Sequence, residues 1–141
     1  MGRVTTDVCH PNRRKKGNYL DMNISKKFVH KPWGYEEIWA NTAKYVGKIL
    51  VIKPGCSLSR QYHKVKEETI YVLEGHVRVE IGDSSSGITI SHFDKGKVVH
   101  IAPLTIHRFC AEDDEVKLIE VSTPELDDVV RLEDFYGRKT N

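Results

Sequence analysis

Short runs of strand-like sequence follow one another from residue 28 to residue 122, and turn residues such as Pro54, Gly55 and Gly75 separate them. Within the runs, apolar and polar residues alternate or β-branched residues cluster. Both patterns predict β-strands, because successive strand side chains point to opposite faces. No helical period occurs here, and turn signals mostly about 8 to 12 residues apart favour an antiparallel sandwich or barrel, so the predicted fold class is all-β. The nine expected strands lie near residues 33–39, 44–53, 57–63, 69–73, 76–81, 88–93, 98–102, 106–110 and 116–121.

Length and composition place the chain among ordinary globular proteins. Its 141 residues suffice for one domain with a core of its own. With 39% apolar and 30% charged residues, it has no apolar run of the ~20 residues that a membrane helix needs. The N-terminus lacks an apolar secretory core, so the expected location is the cytoplasm and no membrane partner is expected. Cys9, Cys56 and Cys110 show no CxxC spacing, which favours free thiols over disulfides.

A basic N-terminal segment precedes the strand region. Residues 1–31 carry a net charge of +6, and the other 110 residues carry about −4. Residues 1–27 are predicted to be a flexible segment with one short strand near 18–22, and residues 28–138 to be the domain, with a short helical turn at 126–136. A basic segment can bind nucleic acid. No aromatic residues alternate with these charges, so we expect no nucleic-acid partner.

Four polar residues predict a metal site. Gln61 and His63 are two apart, so they project from one face of a strand. Glu68 heads the next run, and we expect it on the neighbouring strand of a hairpin; His107 follows in a later run. An amide oxygen, two imidazoles and a carboxylate suit a divalent transition metal: zinc, manganese, iron, cobalt or nickel. The alternative is that these are surface residues of strands, and spacing alone leaves it open.

Two stretches resemble the motifs of the cupin superfamily. The run from Gly55 to Gly75 resembles the first motif, Gly-x5-His-x-His-x3–4-Glu-x6-Gly, with Gln61 in place of the first His. The run from Gly96 to Ala111 resembles the second motif, in which His107 aligns, Leu104 replaces Gly and Ala111 replaces Asn.

Within the cupins, the chain is similar to the type II mannose-6-phosphate isomerase domain. The likeness rests on Gln-x-His, on residues 31–34 (Lys-Pro-Trp-Gly) and on residues 127–138. It implies a double-stranded β-helix jelly roll, one bound divalent metal with zinc favoured, and a metal-dependent sugar-phosphate isomerase acting through an enediolate. The implied metal ligands are Gln61, His63, Glu68 and His107. That domain is often half of a bifunctional enzyme with guanylyltransferase activity. No glycine-rich nucleotide loop occurs in these 141 residues, so we expect no nucleotide transfer.

The signature of that domain has an arginine where this chain has Lys66, and the two residue types bind anions differently. This difference favours an alternative, a non-catalytic cupin that binds a metal or a sugar. A cupin dioxygenase is a further alternative with the same ligands. For an isomerase, the candidate bases are Lys66, if burial lowers its pKa, and His100. The candidate phosphate contacts are Arg60, Lys64, Arg108 and Arg131. Exposed strand edges also predict a homodimer.

Overall fold

Eleven β-strands make up the structure, a computed structural model that describes residues 25–140. They are β1 (Lys27–Lys31), β2 (Gly34–Asn41), β3 (Val46–Ile52), β4 (Arg60–Tyr62), β5 (Glu68–Glu74), β6 (His76–Asp83), β7 (Gly87–Asp94), β8 (Val98–Ile101), β9 (Ile106–Ala111), β10 (Val116–Ser122) and β11 (Val130–Glu133). The nine expected strands correspond to β2–β10. Between residues 25 and 140 there is no helix, and hence none long and apolar enough to cross a bilayer.

The strands form two antiparallel sheets that face each other. The six-stranded sheet has the order β1-β2-β3-β10-β5-β8, and the five-stranded sheet has the order β11-β4-β9-β6-β7. Alternate residues of both sheets point into the space between them and form one apolar core, to which Leu50, Ile70, Val79 and Phe109 belong. The sheet orders confirm the all-β jelly roll expected from the sequence.

The strand that carries Gln61 and the strand that begins at Glu68 do not form the expected hairpin. β4 pairs with β9 and β11, whereas β5 pairs with β10 and β8 in the other sheet. The chain crosses between the sheets at residues 63–67. There the carboxylate of Asp128 accepts hydrogen bonds from three successive backbone amides, at 3.0, 2.7 and 2.8 Å. The hairpin prediction is wrong because a residue more than 60 positions away binds the amides of this crossing.

The C-terminal stretch is extended rather than helical. β11 pairs with β4 through an irregular register. A turn follows, in which the Gly137 amide donates to the carbonyl of Asp134 at 3.3 Å. The helical turn expected at 126–136 is wrong because the edge of β4 supplies backbone partners to this stretch. The strand expected near residues 18–22 lies outside the described residues, as does most of the basic segment.

Candidate metal centre and adjoining cavity

Three buried side chains from both sheets meet at one point. His63 follows β4, His107 lies in the neighbouring strand β9, and Glu68 begins β5 of the opposite sheet. Nε2 of His63 lies 3.6 Å from Oε2 of Glu68, and Nε2 of His107 lies 3.1 Å from Oε1. Each residue is at most 3% exposed. Their ligand atoms all lie within 4.8 Å of one another, which is close enough for one metal ion. We call these three residues the ligand group.

Backbone carbonyls determine which nitrogen of each histidine faces the ligand group. Nδ1 of His63 lies 2.5 Å from the carbonyl oxygen of Asp128, and Nδ1 of His107 lies 2.9 Å from that of Thr105. A carbonyl oxygen only accepts hydrogen bonds, so each Nδ1 carries the proton and each Nε2 presents a lone pair.

The imidazole lone pairs of the ligand group have no hydrogen-bond donor among the described residues. Nε2 of His63 and Nε2 of His107 are buried without a hydrogen bond, and they face the carboxylate of Glu68, whose Oε2 lies 2.9 Å from the ammonium of Lys66. Buried acceptors that face one another are unfavourable unless a cation or a proton lies between them. Imidazole nitrogen and carboxylate oxygen are ligands that zinc prefers, and a histidine ligand typically donates its other N–H as these two do. The three residues therefore fit a metal ion.

Gln61, the fourth predicted ligand, lies on the same face as His107. The two residues are direct partners in the pairing of β4 with β9, so their side chains project together. The amide oxygen of Gln61 accepts a hydrogen bond from the Ser59 hydroxyl at 2.7 Å and keeps a second lone pair. The structure thus brings three predicted ligands together and places the fourth beside them, while metal binding itself stays a prediction.

Charged neighbours control the ionisation of Glu68 and Lys66. Burial alone would raise the pKa of Glu68, but the hydrogen bonds that His107 and His63 donate when Nε2 carries a proton, together with the charge of Lys66, lower the pKa well below its usual value. Burial also opposes the charge of Lys66. The attraction of Glu120 and Glu68 outweighs that effect and raises the pKa of Lys66 above its usual value. This shift has the opposite sign to the one that the predicted role of Lys66 as a base requires.

A cavity of about 220 Å³ adjoins the ligand group. Gln61, His63 and Lys66 line it from one side, together with the segment that leads into β11. Residues of β1, β2 and β3 form the opposite wall. A small molecule in this space would therefore contact the metal-binding side of the cavity and the inner face of the six-stranded sheet at once.

Five alternating charges, which we call the charged row, run from this opposite wall to the ligand group. Nζ of Lys48 lies 3.2 Å from Oε2 of Glu36 and 3.9 Å from Oε2 of Glu120. Nζ of Lys66 lies 3.4 Å from Oε2 of Glu120 and 2.9 Å from Oε2 of Glu68. Burial, followed by the charge of Glu68, raises the pKa of Glu120, and the two lysines oppose that rise.

Sequence reasoning missed the first three members of the charged row, Glu36, Lys48 and Glu120. A signal was present for two of them. Lys48 and Glu120 occupy core-facing positions of strands that are otherwise largely apolar, VGKILVI and VKLIEVS. A charge at such a position is costly unless it is paired. An inward charge in each of two strands therefore indicates that the strands are neighbours and that the charges pair.

Three of the predicted phosphate contacts lie away from the cavity. Arg60 and Arg108 neighbour inward-facing residues in sequence, so their side chains lie on the outer face of the five-stranded sheet. There, Nη2 of Arg60 lies 3.0 Å and Nε of Arg108 3.5 Å from Oε2 of Glu80. Lys64 is exposed in the crossing between the sheets. None of the three lines the cavity, because strand parity directs the arginines outward.

Two other predicted residues have opposite outcomes. His100 lies on the outer face of the six-stranded sheet, where its Nε2 is 3.2 Å from Oε1 of Glu67, so the structure does not bring it to the ligand group. Arg131 does line the cavity, next to Arg138. Burial and then the charge of Arg138 lower the pKa of Arg131, against the attraction of Asp134. Nε of Arg131 is buried without a partner among the described residues.

The sequence matches a family and several curated relatives. Residues 18–134 match the family described as mannose-6-phosphate isomerase C-terminal. The alginate biosynthesis protein AlgA of Pseudomonas aeruginosa is 29% identical in an alignment over 139 residues that covers 96% of this chain and 26% of AlgA. The mannose-1-phosphate guanylyltransferase ManC of Salmonella typhimurium is 36% identical in an alignment over 117 residues that covers 78% of this chain and 23% of ManC. The chain thus spans about a quarter of the length of these relatives.

Solved structures share the fold at low sequence identity. The capsular polysaccharide assembling protein CapF of Staphylococcus aureus gives a TM-score of 0.69 at 17% identity, over 79% of this chain and 35% of CapF. Oxalate decarboxylase of Bacillus subtilis gives a TM-score of 0.68 at 17% identity, over 76% of this chain and 30% of that protein. At such identities the likeness shows the cupin fold alone.

Proposed function

The chain belongs to the mannose-6-phosphate isomerase C-terminal family, and from this premise we propose that it is a metal-dependent sugar-phosphate isomerase that interconverts an aldose and a ketose. One observation carries the proposal. Two imidazole nitrogens that are buried without a hydrogen-bond partner among the described residues, on His63 and His107, converge on the carboxylate of Glu68 next to a cavity that His63 lines. Buried polar side chains normally form hydrogen bonds with one another or with the backbone. Buried acceptors without such a partner therefore indicate a ligand-binding site.

The ligand group, with the amide oxygen of Gln61, suits one divalent transition metal, and its N and O donors favour zinc. A bound metal would supply an electrophile for the negative charge that develops on the substrate oxygen during isomerisation. The protein itself prepares the site. Two backbone carbonyls hold the imidazoles in the ligating tautomer, and the ammonium of Lys66 holds the carboxylate of Glu68 in place.

The phosphate of the substrate is proposed to bind at Arg131. This guanidinium lines the cavity, has an N–H without a partner among the described residues and lies beside a second cation, Arg138. An anion between the two arginines would relieve their repulsion and accept charge-assisted hydrogen bonds. Arg60, Lys64 and Arg108 have no part in this proposal because they do not line the cavity.

A second candidate is a module that binds a metal and a sugar without turnover. Lys66 favours it, since the family signature has an arginine there and the lysine is bound to two carboxylates. A dioxygenase that uses the same ligands is a third and weaker candidate. We propose no nucleotidyl transfer for these 141 residues, although relatives that span them are guanylyltransferases.

Elemental analysis of the purified protein, followed by activity assays, tests the proposal. The wild type is expected to hold about one equivalent of metal, and the double variant His63→Ala/His107→Ala none. The matched control is His92→Ala/His100→Ala, which removes two exposed histidines outside the site and is expected to keep the metal. The loaded wild type is then assayed with mannose 6-phosphate and other aldose phosphates. Equal metal in all three proteins contradicts the site, whereas bound metal without turnover supports the second candidate.

A further inference from the structure

The cavity contains a carboxylate that the proposed function does not yet use. Glu36 lies on β2, where its cross-strand partners are Val29 and Leu50. Leu50 belongs to the buried core, and cross-strand partners share one face of a sheet, so Glu36 points inward. It lines the cavity from the six-stranded sheet, while Gln61 and His63 line it from the other side. A molecule bound between these two walls is within reach of both.

Glu36 is the most exposed carboxylate of the charged row. Its Oε2 accepts a hydrogen bond from Lys48 at 3.2 Å, and its Oε1 has no hydrogen-bond partner among the described residues. The side chain keeps 14% of its surface exposed, on the cavity side. Glu120 also lines the cavity, but its side chain is 6% exposed and lies between the two lysines of the row, and Glu68 belongs to the ligand group. Glu36 is therefore the carboxylate of the row that is most accessible to a ligand.

Other side chains near the cavity are poorly suited to accept a proton from a bound substrate. The ammonium groups of Lys48 and Lys66 are paired with carboxylates of the charged row. His100 lies outside the cavity. Asp127 lines the cavity but is exposed to solvent at its rim, where water competes for its oxygens. Glu120 lines the cavity too, but the ammonium groups of Lys48 and Lys66 both contact it, so Glu36, with one lysine partner and the greater exposure, is the better placed base.

We propose that Glu36 is the catalytic base of the isomerisation, which rests on the function proposed above. Oε1 of Glu36 takes the proton from the carbon next to the carbonyl carbon. The electron pair of that C–H bond forms a carbon–carbon double bond, and the π pair of the carbonyl moves to its oxygen, giving an enediolate. A proton moves between the two substrate oxygens, and Glu36 returns its proton to the former carbonyl carbon. No oxidant, reductant or second substrate enters or leaves.

Lys48 is assigned a positioning role in this step. Its ammonium donates to Oε2 of Glu36, which orients the carboxylate and leaves the other oxygen without a partner among the described residues. Glu120 and Lys66 continue the row to Glu68, so the orientation of the base is linked to the orientation of a metal ligand.

Proton exchange with solvent tests the role of Glu36. The metal-loaded full chain is incubated with mannose 6-phosphate in deuterated water, and deuterium at C2 of the recovered sugar is measured by NMR together with net isomerisation. The variant is Glu36→Gln. The matched control is Glu37→Gln, which changes the next residue of the same strand, on the outer face, where it pairs with Lys26. Metal content and the KM for mannose 6-phosphate are measured for each protein.

Glu36→Gln is expected to lower exchange and kcat together by about 100-fold or more, the usual contribution of a general base. Its metal content and KM should stay within about twofold of wild type, and Glu37→Gln should behave as wild type. Exchange by Glu36→Gln at the wild-type rate shows that another group is the base and leaves the isomerase proposal intact. A metal-loaded wild type that neither exchanges nor isomerises the sugar overturns both proposals.

A second variant covers the case in which Glu36→Gln does not fold because Lys48 loses its partner. Glu36→Asp keeps the charge but withdraws the carboxylate by one methylene, and a displacement of about 1 Å typically costs a large factor in rate. We expect kcat and exchange to fall at least tenfold with unchanged melting temperature and metal content. Wild-type rates in this variant would contradict the role of Glu36.

Discussion

Asp128 contacts His63 with its backbone carbonyl, and its side-chain carboxylate binds the segment that crosses between the two sheets. Its carbonyl oxygen lies 2.5 Å from Nδ1 of His63, and its carboxylate binds the amides of Lys64, Val65 and Lys66. One residue of the C-terminal segment therefore orients a proposed metal ligand and also shapes the loop between that ligand and the next one, Glu68.

Asp128→Ala is expected to weaken metal binding more than it weakens folding. The loss of three amide partners should lower the free energy of unfolding by about 1–3 kcal/mol. The loosened loop should let His63 move, which typically costs about 10–100-fold in metal affinity. Metal titration and urea unfolding measure the two effects. Asp127→Ala, which changes an exposed neighbour, is the control and should match wild type; equal metal affinity in both variants would count against this role of Asp128.

Removal of the metal should destabilise the wild type. An ion that binds only the folded state stabilises it by about 2.7 kcal/mol at a free concentration 100 times its Kd. A chelator should therefore lower the melting temperature of the loaded wild type, and added zinc should restore it. The variant His63→Ala/His107→Ala should melt at one temperature with or without chelator. A wild type that is indifferent to chelator and to zinc would show that the ligand group holds no metal.

Lys48→Met should be strongly destabilising, because it leaves the carboxylates of Glu36 and Glu120 without their shared cation. Breaking a buried ion pair from one side costs roughly 3–5 kcal/mol. Adding Glu36→Gln should recover part of the loss, since Glu36 loses its cation in Lys48→Met whereas Glu120 keeps Lys66. Lys117→Met, which breaks a more exposed pair with Glu74, should cost at most about 1 kcal/mol. Urea unfolding of the four proteins measures the differences, and equal losses for the two lysines would refute the importance of the row.

Leu104→Gly should be neutral or stabilising despite the loss of a large side chain. Leu104 has a φ of 68° and is 62% exposed, so glycine removes backbone strain of about 1–2 kcal/mol and little burial. The greater freedom of unfolded glycine offsets about 0.4–1 kcal/mol of that gain. Leu132→Gly, at an exposed position of β11, should be destabilising. A lower melting temperature for Leu104→Gly would mean that the leucine has a packing role.

A decrease in pH should destabilise the wild type more than it destabilises the variant Asp134→Asn. Hydrogen bonds from Arg138 lower the pKa of Asp134, against the effect of burial. A lowered folded-state pKa adds stability above the unfolded value near 3.9, and that stability is lost as the pH falls through the folded value. The difference in unfolding free energy between the two proteins should therefore shrink from pH 6 to pH 3. Asp113→Asn, in an exposed loop, is the control and should show no such trend.

The periodicity of the sequence was enough to predict nine strands and the inward direction of Gln61, His63 and His107. These features are local, because parity along a strand fixes the face of each side chain. Parity also implied that Arg60 and Arg108 point the other way, and the structure shows both beside Glu80. For the phosphate contacts, charge was therefore a poorer guide than strand parity.

The features that the sequence did not predict depend on residues far apart in the chain. Whether the strands of His63 and Glu68 form a hairpin depends on Asp128, more than 60 residues later. The pairing of Lys48 with Glu120 requires β3 and β10 to be neighbours in the sheet, although six strands lie between them in the sequence. The sequence around Glu36 did not indicate a functional role, because glutamates are common in half-buried strands. The role is suggested only by the cavity that Glu36 lines.

The charged row also contributes to the electric field inside the cavity, in addition to the field of Arg131 and Arg138. With all five groups ionised, three carboxylates and two ammonium groups leave one negative charge, and a dication in the ligand group would reverse the sign. A sugar phosphate would then meet repulsion from the row before metal loading and attraction after it. We therefore expect the metal to bind first and the phosphorylated ligand second. Calorimetric titrations of mannose 6-phosphate before and after zinc addition would distinguish this order from independent binding.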